Sequence, residues 1–409
     1  MVRIKTEQAA RRRAGAIEQL VDRYNPELFD VGRREARVRI QGFGPKPRDV
    51  VIEDGHARLE PAEGDPDAEL TADEQTWRAL VEDVRDGMVA FREGRLRVRR
   101  DLHLGVGFLA ATAPRGDVGQ LRFRTVETSA GGISTMDAGS GEPVLLIHGL
   151  GATKASFLPT VAALTPGYRT IAVDLPGFGD SDKPLRGAYD AAFFARSMVA
   201  LLDALGVERA HVIGNSMGGR VGIELGLAYP ERLRRLVLLA PSLAWLRSRP
   251  WAPYLRFVPT QLGLIQPAPR PIVETIVRRL IPGADQEWAA AGIDEFLRSY
   301  LTPSGRSAFY AAARNIYLEE PHGADGFWTR LPSLSVESLF VWGRKDVVVP
   351  VAFADHVEKA LPGAQHLFLD CGHVPQLERP RQTHAAIEQF LADGRVLDGP
   401  PGERAGAHR

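Results

Sequence analysis

Residues 210–219 read Ala-His-Val-Ile-Gly-Asn-Ser-Met-Gly-Gly, an apolar run of strand type that passes straight into a turn and then into a helical pattern. Gly214 and Gly218 fit a turn so tight that larger side chains would collide with neighbouring backbone. Such a strand–turn–helix raises the hydroxyl of Ser216 above the edge of a sheet. It also directs the N-terminus of the next helix, whose dipole favours negative charge, at the reacting group. We therefore predict Ser216 as a nucleophile.

A serine hydroxyl is a weak nucleophile unless a base takes its proton. In chains with this turn the order along the sequence is serine, acid and then histidine. His373 follows the strand-like residues 367–369 and lies on the loop where that base belongs. A loop histidine that only braces a turn is the alternative. His322 and His366 have no suggestive setting, so we predict His373 as the base.

The acid of such a site lies at the end of an earlier strand. Asp346 follows the apolar run 339–342 and meets this requirement. Its carboxylate would accept the Nδ1 proton of His373, hold the tautomer and stabilise the imidazolium. Asp370 is the rival acid, but a spacing of three residues from His373 is more typical of a turn contact. We predict Asp346.

Two preorganised donors are needed where negative charge develops on the substrate oxygen. His148-Gly149-Leu150-Gly151 follows the predicted strand 143–147, and the amides of Leu150 and Met217 are the natural pair. We expect His148 to brace this loop instead of acting as a base. The acidic loop 174–181 is rich in proline and glycine, and we assign it a structural role without catalytic residues.

Bulk properties exclude several classes of protein. The 409 residues are 44% hydrophobic with a formal net charge of +0, so no overall field attracts nucleic acid or an anionic membrane. The single cysteine, Cys371, fits a reducing compartment, and neither a signal peptide nor a membrane span is evident. We expect a cytoplasmic protein, with peripheral lipid contact left open and the oligomeric state undetermined. No metal or nucleotide motif is present, so we predict no cofactor and no metal.

Composition divides the chain into two zones. Residues 118–395 alternate apolar strand-like runs with helical patterns such as 192–205 and 221–228, which favours a doubly wound, mostly parallel sheet of the α/β class. The strand-like runs lie at 143–147, 170–173, 210–213, 236–239 and 339–342. An insertion at about 242–332 opens with Trp245, Trp251, Tyr254 and Phe257, and is interpreted as a helical cap over the site. Its apolar residues either line a pocket or form the cap's own core. The tail, residues 396–409, is predicted to be disordered.

Residues 1–115 form an arginine-rich and acid-rich zone with an α+β pattern. A helix is predicted from about Glu7 to Val21, and another after Asp73 with Trp77, Leu80, Val81 and Val84 on its apolar face. Alternating or apolar strand patterns lie at 36–40, 50–52, 56–59, 69–72 and 95–99, and residues 101–111 are an apolar terminal segment. Residues 111–117 are interpreted as a linker.

Five motifs, in order, resemble the α/β-hydrolase superfamily over roughly residues 120–393. They are 148–151, 174–181, 214–219, 342–346 and 372–373. The last three are most similar to the branch of meta-cleavage-product C–C hydrolases and related esterases. Two departures favour a carboxylesterase or lipase-like enzyme. Leu150-Gly151-Ala152 stands where C–C hydrolases usually carry Ser-Gly-Pro-Gly, and Val374 stands where they often have an aromatic residue. A serine nucleophile also argues against the epoxide hydrolases and haloalkane dehalogenases of this fold.

Residues 15–113 resemble the sterol-carrier-like lipid-binding domain. The resemblance rests on Leu70-Thr71-Ala72-Asp73, on the run 91–98, which contains the turn Glu93-Gly94 and the start of the next strand, and on the apolar residues 102–109. It implies an α/β sheet with a tunnel for an acyl chain or a sterol. A structural extension that packs on the hydrolase is the alternative.

Three functions follow as hypotheses. The first is a serine esterase or lipase that acts on a hydrophobic or lipid-derived acyl ester through an acyl-enzyme. The second is a C–C hydrolase of aromatic or sterol-ring degradation that uses the same three residues. The third is a lipid-binding or transfer protein with a non-catalytic hydrolase scaffold. The intact Ser216, Asp346 and His373 count against the third, because a scaffold needs none of them.

Overall fold

A computed structural model describes residues 17–29, 31, 35–83, 86–113, 120–244, 257, 259–280 and 287–396. Several sequence predictions lie outside these residues. They are the helix before Ile17, Val84, the linker residues 114–117, the aromatic residues Trp245, Trp251 and Tyr254, and the tail from residue 397.

The N-terminal part of the chain contains a five-stranded sheet. Its strands are β1 (Glu35–Gln41), β2 (Arg48–Glu53), β3 (His56–Pro61), β4 (Ala68–Ala72) and β5 (Leu96–Arg99). Their order is β3-β2-β1-β4-β5, in which only the β1–β4 pair is parallel. The strands fall where the sequence pattern predicts them, and the alternating Ala36, Val38 and Ile40 are buried on one face.

Three helices accompany this sheet, besides a helical segment at residues 17–22. They are α1 (Glu74–Glu82), α2 (Asp86–Arg92) and α3 (Leu102–Ala111). Asp73 caps α1 by accepting a hydrogen bond from Thr76 N at 2.7 Å, and Asp101 caps α3 by accepting one from Leu104 N at 2.8 Å. Helix α3 is buried almost all round, because it packs on the N-terminal sheet, on the first strand of the second sheet and on the cap.

The second sheet has eight strands. They are β6 (Arg122–Thr128), β7 (Gly131–Ala138), β8 (Glu142–Ile147), β9 (Tyr168–Val173), β10 (Ala210–Asn215), β11 (Leu233–Leu239), β12 (Ser338–Gly343) and β13 (Gln365–Leu369). Their order is β13-β12-β11-β10-β8-β9-β7-β6. The six strands β8–β13 are parallel, as predicted, whereas β6 and β7 are antiparallel and do not appear among the predicted strands. Their polar and small residues gave no continuous apolar signal.

Helices connect the strands of this sheet and form the insertion after β11. Those beside the sheet are α4 (Leu158–Leu164), α5 (Ala191–Ala204), α6 (Met217–Ala228), α12 (Phe353–Ala360), α13 (Pro375–Glu378) and α14 (Pro380–Asp393). Those between β11 and β12 are α7 (Leu262–Ile265), α8 (Arg270–Leu280), α9 (Glu287–Tyr300), α10 (Pro303–Tyr317) and α11 (Phe327–Arg330). Short 3₁₀ turns lie at Lys154–Phe157, Pro230–Arg232 and Leu331–Ser333. None of the helices in the described ranges has both the length and the apolar character needed to cross a bilayer.

Two clusters of buried apolar side chains lie on opposite faces of the large sheet. One includes Phe194, Phe340 and Trp342. The other continues without a break from the N-terminal sheet, where it contains Trp77, to the large sheet, where it contains Phe390. Backbone also joins the two parts, since Phe123 N of β6 donates to Leu28 O at 2.7 Å. The N-terminal sheet is therefore packed into the same core as the large sheet.

Candidate active site

Ser216 lies on the sharp turn between β10 and α6. Its backbone has φ +53° and ψ −117°, an unfavourable conformation for a residue with a side chain. A Cβ on Gly214 would lie 2.3 Å from Gly218 O, and one on Gly218 would lie 2.0 Å from Ile147 O. Both glycines thus have the steric role that the sequence predicts. The strained turn is held by a 3.0 Å hydrogen bond from Ser216 N to Leu239 O.

His373 and Asp346 meet at the ends of their strands. The distance between His373 Nδ1 and Asp346 Oδ2 is 2.7 Å. The other carboxylate oxygen accepts hydrogen bonds from Val348 N at 2.7 Å and from Val349 N at 2.9 Å. Because Asp346 accepts at Nδ1, that nitrogen carries the proton and Nε2 is left as an acceptor. This arrangement suits a base that takes a proton from a hydroxyl.

Asn215, to which the sequence reasoning gave no role, joins the loop of His373 to the nucleophile strand. Its Nδ2 donates to His373 O at 3.1 Å and to Leu239 O at 2.9 Å. The residue before the serine therefore fixes the backbone of the histidine, which follows a strand three positions away in the sheet. A polar residue at this position in an apolar strand was the only sequence signal for it.

Ser242, three residues beyond the end of β11, is a second residue that the sequence reasoning missed. Its Oγ lies 3.5 Å from Ser216 Oγ, and its backbone N donates to Ser216 O at 2.9 Å. Within the described chain, Ser216 Oγ makes this contact and has no hydrogen bond to His373. Sequence alone could not find Ser242, since its approach depends on the pairing of β10 with β11.

The two predicted oxyanion donors lie beside the nucleophile. Met217 begins helix α6, and Leu150 lies on the loop after β8 and lines the cavity of the site. Among the described residues neither amide N–H has a protein acceptor, so both are free to bind a substrate oxygen. His148 braces this loop, as predicted. Its Nε2 accepts from Leu175 N at 3.0 Å and its Nδ1 contacts Gly149 O at 2.7 Å, while burial lowers its pKa.

The rejected candidates lie away from these atoms. Asp370 is exposed and its carboxylate pairs with Lys345 at 2.9 Å. His366 accepts from Trp342 Nε1 at 3.0 Å within a stack of aromatic rings, and His322 is exposed. Burial raises the pKa of the Cys371 thiol to about 12, so this nearby group is protonated at neutral pH and is a poor nucleophile.

The acidic loop 174–181 is part of a buried ionic cluster. Lys154 Nζ lies 2.5 Å from Asp174 Oδ2 and 3.3 Å from Asp180 Oδ2. Burial opposes the charge of Lys154, but the two carboxylates outweigh it and raise its pKa. Asp174 also accepts from Lys154 N at 2.7 Å and Asp180 N at 2.9 Å. The loop thus has the structural role that the sequence predicts.

A cavity of about 370 Å³ adjoins these residues, in the size range of small-molecule sites. Its lining is mostly apolar, and it reaches His373, Asn215 and Leu150. The cap contributes Val277, Ala289, Gly292, Phe296 and Phe309. In the parts of the chain with described coordinates, no group of three or more His, Cys, Asp or Glu side chains could hold a metal ion.

Residues 142–380 match the family model described as the alpha/beta hydrolase fold. The chain is a member of the α/β-hydrolase family. The 2-hydroxymuconate semialdehyde hydrolase of Pseudomonas putida is 30% identical over 272 residues, which cover 64% of this chain and 91% of that protein. The 2-hydroxy-6-oxo-6-phenylhexa-2,4-dienoate hydrolase of Burkholderia cepacia is 31% identical over 272 residues, covering 63% and 90%.

A solved structure of a membrane phospholipase A, a bacterial virulence factor, is also similar to this α/β-hydrolase. The TM-score is 0.56 at 26% identity, and the match covers 77% of this chain and 96% of that one. The relatives of this α/β-hydrolase thus include hydrolases named for a semialdehyde and for a dienoate, and one protein named as a phospholipase. Membership of the family confirms the predicted α/β-hydrolase fold over residues 142–380, while the sterol-carrier-like nature of the N-terminal sheet stays a prediction.

Proposed function

We propose that this α/β-hydrolase is a serine esterase that cleaves carboxylic esters with a hydrophobic acyl chain. The observation that supports the proposal is the 2.7 Å contact of His373 with Asp346. The site also contains Ser216 on a strained turn and adjoins an apolar cavity. Neither a structural turn nor a non-catalytic scaffold needs these three side chains together.

The reaction proceeds through an acyl-enzyme. Ser216 Oγ bonds to the ester carbonyl carbon as its proton moves to Nε2 of His373, and the amides of Leu150 and Met217 bind the resulting oxyanion. The carbon–oxygen bond to the alcohol then breaks, and the alcohol leaves with that proton. Water attacks the acyl-enzyme and gives a proton to His373. The acid is released as that proton returns to Ser216.

Cleavage of C–C bonds is the second candidate, and the relatives at 30–31% identity favour it. The dienoate named for the Burkholderia enzyme is a carboxylate. The cavity lining, over the described residues, contains the carboxylates Glu295 and Glu378 but no lysine or arginine. Glu378 accepts from Gly372 N at 2.7 Å and Val374 N at 3.1 Å, and Glu295 is paired with Arg298 at 2.6 Å. A mostly apolar lining with no lysine or arginine among its described residues suits a neutral ester better than an anionic diketone.

A panel of p-nitrophenyl esters with acyl chains of increasing length tests the proposal. We expect the wild type to hydrolyse them, with kcat/KM rising as the chain fills the cavity, and the Ser216→Ala variant to be inactive. The same preparation is offered a meta-cleavage dienoate. Turnover of the dienoate without turnover of any ester would replace the first function by the second.

A further inference from the structure

The cavity at His373 has a third wall that comes from the N-terminal part of the chain. Phe91 of α2 and Leu102 at the start of α3 line it, together with the residues of the cap and of the large sheet. Both side chains are apolar, and Leu102 is buried. The matched family region, residues 142–380, does not include either residue.

We infer that the N-terminal part of the chain is a specificity-determining wall of the active site, in which Phe91 and Leu102 limit the length of the apolar chain on one side of the scissile bond. The inference rests on the proposed function for the identity of the substrate. It differs from a carrier domain that binds lipid in a tunnel of its own, because these two residues face the hydrolase cavity.

Strong polar contacts hold this wall against cap helix α9. Asp294 of α9 is only 2% exposed, and its Oδ2 accepts from Arg99 Nε at 2.7 Å and from Arg100 N at 3.0 Å. Its other oxygen accepts from Arg270 Nη2 of cap helix α8 at 3.0 Å. One buried carboxylate therefore joins β5 of the N-terminal sheet to two cap helices, and charge-assisted hydrogen bonds of this kind are short and strong.

A second contact lies one turn further along α9, where Arg298 meets all three parts of the molecule. Its guanidinium donates to Asp180 of the acidic loop at 2.6 and 3.1 Å and lies 3.7 Å from Asp101, the N-cap of α3. His103 of α3 lies 3.4 Å from the same Asp180. The start of α3, where Leu102 lies, is thereby placed between the cap and the acidic loop.

Helix α9 presents two different faces to its surroundings. Asp294 and Arg298, four residues apart, bind the N-terminal part and the acidic loop, whereas Ala289, Gly292 and Phe296 recur at helical spacing and line the cavity. Because polar contacts hold helix α9 on one face, its other face is a fixed boundary of the cavity. The wall formed by Phe91 and Leu102 lies across the cavity from this rigid helix. A change in the size of either side chain therefore changes the volume left for substrate.

The test compares substitutions at Phe91 with the same substitutions at Val89, which lies on the same helix, is 40% exposed and does not line this cavity. Phe91→Trp, Phe91→Ala and Leu102→Phe are measured beside Val89→Trp and Val89→Ala. Two ester series are used, one with increasing acyl length on a fixed p-nitrophenol and one of acetates with increasing alcohol length. Thermal unfolding confirms that each variant is folded.

We expect Phe91→Trp and Leu102→Phe to lower kcat/KM for the long members of one series by about tenfold or more, relative to the shortest member. Phe91→Ala should move the optimum to longer chains. Both Val89 variants should keep the wild-type profile. If the Phe91 and Leu102 variants keep the wild-type chain-length profile in both series, these residues do not determine specificity and the inference is wrong. The proposed esterase function would be unaffected by that result.

Binding of decan-1-ol, a neutral ligand, measured by calorimetry, separates the wall from the proposed function. If the wild type hydrolyses no ester, the proposed function fails, but weaker decan-1-ol binding by Phe91→Trp than by Val89→Trp would still support the wall. The inference about the wall would be wrong if these two variants bound the ligand with equal affinity. It would also be wrong if the wild type neither bound the ligand nor hydrolysed any ester.

Discussion

The hydroxyl oxygens of Ser216 and Ser242 lie 3.5 Å apart, at the ends of two neighbouring parallel strands. A distance at this limit marks a weak hydrogen bond. To donate its proton to His373, the Ser216 hydroxyl has to turn away from Ser242. The contact therefore belongs to the resting site.

Ser242→Ala provides a matched control for Ser216→Ala. We expect a fluorophosphonate probe to label the wild type and Ser242→Ala at rates within about fivefold of each other, since loss of one weak neutral hydrogen bond changes energies by about 0.5–1 kcal/mol. Ser216→Ala should not be labelled. Labelling of Ser216→Ala at the wild-type rate would show that another residue is the nucleophile.

Asp346→Asn should lower kcat by about three to four orders of magnitude, because an amide at this position no longer fixes the Nδ1–H tautomer of His373 or stabilises its charged form. Asp370→Asn is the matched control for the rival acid, and its exposed contact with Lys345 predicts wild-type kcat. Steady-state kinetics on a short p-nitrophenyl ester decide between them. Inactivation by Asp370→Asn but not by Asp346→Asn would reverse the assignment.

Asp294→Asn should destabilise the protein by about 2 kcal/mol, because the buried carboxylate accepts hydrogen bonds from two arginine side chains and one backbone amide. Glu93→Gln breaks an exposed pair with Arg95 and should cost less than about 1 kcal/mol. Urea unfolding gives both values. Equal losses would show that Asp294 does not hold the cap to the N-terminal sheet.

Stability should fall on acidification in part through His103. Burial is the main reason that its pKa is lowered from 6.5 to about 3, with Lys154 adding to the effect. The unfolded chain binds a proton below pH 6.5 and the folded chain does not, so this stability is present above pH 6.5 and is lost as the pH falls towards 3. His103→Phe, which keeps the edge-on contacts with Phe29 and Phe123, should lose less stability between pH 7 and 4.

Asp101 opposes this trend and supplies the control. Burial raises its pKa from 3.8 to about 6, so its contribution is present below pH 3.8 and is lost as the pH rises through 6. Asp101→Asn keeps an N-cap residue for α3 but cannot titrate. Its stability should therefore fall more steeply than that of the wild type between pH 6 and 4. A shallower dependence would contradict the raised pKa.

The sequence predicted those parts of the fold whose signal is local. Apolar runs predicted the parallel strands β8–β13, and steric demand at Gly214 and Gly218 predicted the turn at Ser216. The antiparallel β6 and β7 were missed because their polar and small residues resemble loops. Asp346 and His373 were found from their order along the chain, and the structure places their side chains 2.7 Å apart.

Residues that act across the fold could not be found in this way. No local pattern assigned Ser242, Asn215 or Phe91 to the site, and each becomes part of it only through strand pairing or domain packing. The sequence did show two zones of different composition. It gave no sign that Asp294, far along the chain, binds Arg99 and Arg100 of the first zone.

The apolar cluster that runs from Trp77 to Phe390 makes the N-terminal and hydrolase parts energetically inseparable. Since Phe29 and Phe108 fill space against Phe123 and the large sheet, a shortened chain that begins after residue 115 would expose an apolar surface to water. Heating should therefore melt both parts in one cooperative transition. The fusion of two sequence zones thus yields one folding unit, in which neither zone can be exchanged without redesigning the other.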